Sequence, residues 1–219
     1  MKDIIIYGSG GFAREVAFLI EQINSVEQKW NIIGFIDDNI QNQGVIHNGY
    51  PVLGDTAWLE ENCAEINIAL GIGSPKVKKL IVEKLSKVDI EINFPNLIHP
   101  AVKFSNTNEI GQGNIICEGN VLTCNISIGD FVILNINSTV GHDTKIKNYC
   151  TVLPNVSISG NVTLSEGVDF GTNGTIIQGI TVGKYTIIGA GAVVVKDLPE
   201  YCTAVGMPAK PIKYHEEYV

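Results

Sequence analysis

Through the second half of the chain an aliphatic or aromatic residue returns every six positions: Ile98, Phe104, Ile110, Ile116, Leu122, Ile128, Leu134, Val140, Ile146, Val152, Ile158, Leu164, Phe170, Ile176, Val182, Ile188 and Val194. The series runs through seventeen positions without an exception. With 45% of the residues apolar, one fixed register would do this by chance about once in a million. A period of six belongs to neither an α-helix nor a simple strand. Four places after many of these residues sits a second small or apolar one, as at Ser138, Thr144, Cys150, Val156, Val162, Val168, Thr186 and Ala192, which supplies another inward column. Gly111, Gly129, Gly141, Gly171, Gly183 and Gly189 follow the aliphatic position directly and are read as the tight turns. Each hexad then makes one short flat strand and one corner. Three hexads close a triangular coil of 18 residues, and some five coils stack at roughly the 4.8 Å spacing of hydrogen-bonded strands.

Burying one aliphatic side chain contributes about 1.5 to 3 kcal/mol, whereas ordering one residue's backbone costs about 1 to 2 kcal/mol. One buried position in six does not hold such a prism. The second column, the stacked backbone hydrogen bonds and an intersubunit interface must supply the rest, so an oligomer is expected.

The first ninety residues follow a different pattern. Ile4 to Tyr7 read as a buried strand entering the turn Gly8-Ser9-Gly10-Gly11, and Phe12 to Ile20 continue as an amphipathic helix, the opening of a βαβ unit. A second strand, Ile32 to Ile36, ends in Asp37-Asp38, about where a Rossmann unit places its ribose-binding acid. Ile66 to Leu70 form a further strand leading to Gly71-Ile72-Gly73, and Ser74-Pro75 start a helix through Lys87. The alternation predicts a small parallel sheet over residues 1–95 and a β-helix over 96–219.

Composition narrows the chemistry. A net charge of -8 argues against nonspecific nucleic-acid binding, which needs clustered cations. The apolar run at the start is too short for a signal peptide and no stretch approaches a membrane span, so a cytoplasmic protein is expected. The five cysteines include no CxxC pair and no zinc-like arrangement with histidine, and are read as reduced, mostly interior residues, with no metal expected. Of the four histidines, His47, His99 and His215 fall in polar or terminal segments and are read as solvated. His142 stands third in the hexad Val140-Gly141-His142-Asp143-Thr144-Lys145, placed inside the prism, where an imidazole serves as a general base near neutral pH. From the residues alone each feature also has a structural reading: the glycines permit a turn, the two acids end a strand, His142 is a surface residue, and Asn135 tolerates unusual corner angles.

The hexads resemble the hexapeptide-repeat acyltransferases. Together with the glycine-rich start, Asp37-Asp38 and the ending Ile188-Gly189-Ala190-Gly191-Ala192 and Val205-Gly206-Met207-Pro208-Ala209-Lys210, the whole chain resembles the PglD/NeuD-like sugar acetyltransferases. That resemblance implies a Rossmann-like α/β domain followed by a left-handed β-helix, a homotrimer with intersubunit sites, and acetyl-CoA as the co-substrate. It implies that Ser9, Gly10, Gly11, Phe12, Asp37, Asp38 and Gly73 hold a UDP-, GDP- or dTDP-linked aminosugar, with Asn135 near the acceptor. It makes His142 the general base, with Asp143 raising its basicity, and places Thr151, Gly160, Thr172 and Ala190 in the coenzyme groove. The sequence departs from the family at Tyr149-Cys150-Thr151-Val152, where relatives carry a second histidine; the Thr151 hydroxyl is expected to keep only a hydrogen bond to the coenzyme. Acetylation of a sugar hydroxyl, as on sialic acid, is the alternative, and a non-catalytic hexapeptide scaffold the non-enzymatic one.

Overall fold

The computed structural model describes residues 1–216; residues 217–219, at the end of the expected second domain, lie outside the described residues. Strand β1 (Lys2–Tyr7) leads into helix α1 (Gly11–Val26), then β2 (Trp30–Ile36), the short pair β3 (Ile46–His47) and β4 (Tyr50–Gly54), helix α2 (Thr56–Asn62), β5 (Glu65–Leu70), α3 (Pro75–Leu85) and β6 (Glu91–Asn93). They form one six-stranded sheet in the order β3-β4-β2-β1-β5-β6, parallel apart from β3. The order turns about β1, which pairs with β2 on one side and β5 on the other. The carboxyl ends of these three strands therefore border a topological switch point, the crevice where α/β sheets bind ligands.

The last strand of this sheet ends at Asn93 and the first coil strand starts at Leu97. From there two-residue strands pair in parallel with partners 18 residues on, as Ile115 with Ile133 and Thr151 with Asp169. Five complete coils result, and a partial sixth carries Ile188 and Val194. Both inward columns are filled: Val140, Val152, Leu164 and Phe170 are buried, as are Ser138, Thr144, Cys150 and Thr186. The column fails only at its open lower end, where Phe104 is 49% exposed with no coil beneath it. At the upper end residues 202–205 and 210–214 form an antiparallel pair on the first face of the prism and cap it.

The corners are not where the glycines suggest. From Ile110 to Ile188 the left-handed residue of each hexad lies three places after the aliphatic one, at Asn125, Phe131, Asn137, Asp143, Tyr149, Asn155, Asn161, Asn173 and Tyr185, with Gly113, Gly119, Gly167, Gly179 and Gly191 filling the remaining places. Asn and Asp accept this region at low cost. The aromatic members recoup it by stacking: Phe131 lies parallel to Tyr149 at 5.6 Å, and Tyr185 stacks on Tyr201 at 5.9 Å. The glycines directly after the aliphatic residue answer a different need, the close approach of successive coils. A Cβ at Gly141 would lie 2.5 Å from the Gly160 amide nitrogen.

The two domains share apolar packing. Leu97, Ile115, Cys117 and Ile133 on the first face of the prism join the core formed by α1 and the sheet, and Phe131 joins the cluster of Leu85, Ile81 and Leu70. Helix α3 also ties the corner bearing Tyr185, through the ion pair Lys79–Glu166 at 2.9 Å. No helix among the described residues is long and apolar enough to cross a membrane.

Candidate active site

At the switch point Tyr7, Gly8, Ser9, Gly10, Gly11, Phe12, Asp37, Asp38, Gly71, Ile72, Gly73, Val77 and Ile81 line a cavity of about 410 Å³. All seven expected residues of the first domain meet there. Gly8 adopts φ +99°, and a Cβ on it would lie 3.1 Å from the Gly71 carbonyl oxygen, so the two glycine-rich loops close the floor. Gly10 caps α1 without a side-chain hydrogen bond, which leaves the amides of its first turn without a side-chain acceptor, a disposition that favours anions. The two acids divide their work. Asp37 Oδ2 accepts from the Ser9 amide at 3.0 Å and from Ser9 Oγ at 2.5 Å, while Oδ1 accepts from the Asn39 amide. Partial burial pushes the Asp37 carboxyl up, but these hydrogen bonds and one from Asn42 outweigh it and hold it below the usual carboxylate range. Asp37 and the Ser9 hydroxyl thus brace the turn. Asp38 Oδ1 accepts from Tyr7 Oη at 2.9 Å and from Lys84 Nζ at 2.6 Å. Among the described residues, Oδ2 of Asp38 has no protein partner and is the carboxylate oxygen open to a ligand donor. The sequence reading did not assign Tyr7, Gly8, Gly71, Ile72, Val77 and Ile81 to the site; the last two are the i and i+4 positions of α3, a spacing that marks one helix face.

The second group sits on the prism. His142 and Asp143 occupy the corner between the second and third faces, half exposed at 52% and 54%, outside the prism and not within it. His142 Nδ1 and Asp143 Oδ2 are 2.7 Å apart. The hydrogen bond with His142 holds the Asp143 carboxyl below its ordinary range, so it is ionised at neutral pH. An ionised Asp143 favours a proton on Nδ1, and in the neutral imidazole that tautomer leaves the lone pair on Nε2. Gly160 stands one coil further along the same corner, under the imidazole: a Cβ there would lie 2.6 Å from Nε2.

Asn135, Thr172 and Ala190 belong to the neighbouring corner, between the first and second faces. Asn135 is buried and its Oδ1 accepts from the Ile136 amide at 2.7 Å; the left-handed corner residue is Asn137, not Asn135. Asn135 borders an apolar groove of about 250 Å³ between α1 and this corner, with Phe18, Ile136 and Pro154. Thr151 departs from expectation. It is buried at the domain interface, where its hydroxyl donates to the Gly73 carbonyl at 2.6 Å and accepts from Lys78 Nζ at 3.0 Å, so no coenzyme groove reaches it. The cause is position: Thr151 points outward from the first face, and α3 covers that face.

The other histidines are placed structurally. His47 meets Phe35 edge to face, His99 Nδ1 accepts from the Ala101 amide, and His215 Nε2 lies 2.8 Å from Thr203 Oγ1. All five cysteines are free thiols, and burial pushes those of Cys117 and Cys150 up to about 12, too high for a nucleophilic thiolate at neutral pH. Among the described residues no group of His, Cys, Asp and Glu is arranged to hold a metal ion.

Comparison with known proteins agrees with this layout. The sequence pattern of the PglD N-terminal domain matches residues 3–85. The acetyltransferase domain of PglB from Neisseria gonorrhoeae, solved in complex with acetyl coenzyme A, is 30% identical with a TM-score of 0.85, covering 96% of this chain and 99% of that one. PerB from Caulobacter crescentus, solved in complex with CoA and GDP-perosamine, is 27% identical with a TM-score of 0.85 over 97% of this chain and 98% of that one. Curated relatives such as the acyl-[acyl-carrier-protein]–UDP-N-acetylglucosamine O-acyltransferase of Pseudomonas paraeruginosa are 28% identical over 108 residues, 46% of this chain, and the chain spans only 42% of their length. A Rossmann-like α/β domain joined to a left-handed hexapeptide β-helix, with full-length likeness to these structures, makes the chain a member of the PglD/NeuD-like sugar acetyltransferase family.

Proposed function

We propose that the protein transfers the acetyl group of acetyl-CoA to the amino group of a nucleotide-linked aminosugar, with His142 as general base. The observation that carries this reading is the His142–Asp143 pair, whose tautomer leaves Nε2 as an acceptor on an exposed corner beside Gly160. The acceptor nitrogen attacks the thioester carbonyl carbon, the carbon–sulfur bond breaks, CoA leaves, and His142 Nε2 takes the proton from the attacking nitrogen. The diphosphate of the acceptor would meet the free amides at the start of α1, and a donor of its ribose or base would meet Asp38 Oδ2.

Within one chain the candidates stand on two corners. Asn135, Thr172 and Ala190 share one, and His142, Asp143 and Gly160 the other; the second face of the prism, with the strand Thr139–Val140, separates Asn135 from His142. Three copies about an axis parallel to the prism would set one corner of each against the other corner of its neighbour. This supports a homotrimer with sites between subunits, in which the small residues Gly160, Thr172 and Ala190 let pantetheine lie close to the backbone. The cytoplasm, where acetyl-CoA and sugar nucleotides are made, is the corresponding location.

The O-acyltransferase relatives favour a second reading, in which the same base activates a sugar hydroxyl. Incubation with acetyl-CoA and a panel of UDP-, GDP- and dTDP-linked aminosugars, their hydroxyl counterparts and sialic acid, followed by mass analysis of the products, separates the two. Acetylated amine products support the proposal; acetylation confined to hydroxyl acceptors replaces it.

A further inference from the structure

Lys78 lies on α3 with no exposed surface, and its partners all come from the other domain. Its ammonium donates to the carbonyls of Phe131 at 2.9 Å and Cys150 at 3.1 Å, and to Thr151 Oγ1 at 3.0 Å. When the amine is charged its three protons meet three acceptors on the first face of the prism, so the charge is satisfied without an ion pair at hydrogen-bond distance. The titratable groups facing it are the Cys150 thiol and the Asp169 carboxyl.

The Gly73 carbonyl can only accept, so the Thr151 hydroxyl spends its own proton there, at 2.6 Å, and Thr151 Oγ1 accepts from Lys78 whether or not the amine carries its third proton. Gly73 lines the switch-point cavity, and Val77 and Ile81 of the same helix line it too. A residue buried in the domain interface is thus two hydrogen bonds from the wall of the nucleotide cavity.

We propose that Lys78 is a positioning residue for the acetyl transfer: through the Thr151 hydroxyl it fixes Gly73, and with it the nucleotide cavity, in register with the coils that carry His142. The inference rests on the nucleotide-sugar reading above. A sugar held by its nucleotide in one domain and acetylated at a base carried by the other reacts only where the domains keep a fixed offset, and displacement of about 1 Å costs on the order of a hundredfold in rate. An apolar contact alone is non-directional and permits sliding; the Lys78–Thr151–Gly73 chain is directional.

Thr151→Val tests this, since it removes the hydroxyl and keeps the volume, with Thr151→Ser as the conservative rescue and Lys78→Met as the second break in the chain. KM for the nucleotide sugar, KM for acetyl-CoA, kcat and thermal midpoint are measured for all four proteins. The inference expects Thr151→Val and Lys78→Met to lower kcat by up to about a hundredfold and raise KM for the nucleotide sugar about tenfold, to leave KM for acetyl-CoA within about twofold, and Thr151→Ser to restore the wild-type values. A nucleotide-sugar KM unchanged in both variants, or a parallel loss in both substrates that tracks the thermal midpoint, overturns it and leaves the proposed function standing. Absence of any nucleotide-sugar turnover by the wild type overturns both.

Discussion

The imidazole of His142 rests on Gly160, its counterpart one coil later, so closely that a single methyl group there would lie 2.6 Å from Nε2. The same residue abuts Gly141, whose own absent Cβ would meet the Gly160 amide nitrogen at 2.5 Å. Successive coils at this corner touch through backbone at Gly141, and the ring occupies the space that the missing side chain of Gly160 leaves.

Gly160→Ala is therefore expected to push the ring from its place. A misplaced base costs about a hundredfold in kcat, while the added methyl destabilises the fold by about 1 to 3 kcal/mol. Steady-state kinetics and urea unfolding on the same preparation separate the two effects. Wild-type kcat in a variant that unfolds normally would remove the contact from the account.

Asp143 adopts φ +60°, which asparagine also tolerates. Asp143→Asn should keep the thermal midpoint. An amide N–H in place of the carboxylate oxygen favours the tautomer with the proton on Nε2, however, and kcat should fall by about two orders of magnitude or more. The check is CoA release under saturating acetyl-CoA; an unaltered rate would show that Asp143 does not set the tautomer.

In the switch-point cavity, Asp37→Ala strands four donors, the Ser9 amide, the Ser9 hydroxyl, the Asn39 amide and the Asn42 side chain. The expected result is a loss of about 1 to 3 kcal/mol in stability and weaker nucleotide binding, read by calorimetry with the nucleoside diphosphate alone. Acetyl-CoA binding should not change.

The buried lysine gives a pH dependence. Desolvation pushes the Lys78 ammonium down to about 7 from 10.5. Between these values the unfolded chain holds one proton more than the folded one, so raising the pH favours the folded state, and the cost of burial is full below pH 7 and gone above 10.5. Stability of the wild type relative to Lys78→Met should rise by up to about 1.4 kcal/mol per pH unit in that window. Urea titrations at pH 7 and pH 9 measure it, and parallel curves would contradict it.

Much of this was legible in the sequence because the β-helix repeats a local rule. Each hexad buries Val140 or its equivalents in the same way, and no distant contact is needed to read it. The corners were misread because the eye goes to glycine, whereas Asn137, Asp143 and Tyr149 carry the left-handed backbone. In the first domain the β3–β4 hairpin was missed although its signal was present: Asn48-Gly49, both with positive φ, form the two-residue turn between Ile46-His47 and Tyr50-Pro51. Helix α2 has only seven residues and was missed for want of length, although Asp55 caps it. Ser9, Gly10, Gly11, Phe12, Asp37, Asp38 and Gly73 came from the family resemblance, and they share one cavity because they flank turns at strand ends. Thr151 was misplaced and Lys78 unnoticed for one reason: which element covers an outward face is settled by tertiary packing, and a buried lysine carries no local mark.

The most direct test compares wild type with His142→Ala, following free CoA with a thiol reagent in the presence of acetyl-CoA and UDP- or GDP-linked 4-amino sugars. The account predicts acceptor-dependent CoA release by the wild type and its loss by at least about a hundredfold in the variant, with nucleotide binding intact. Equal release by both proteins would contradict the assignment of His142 as the base.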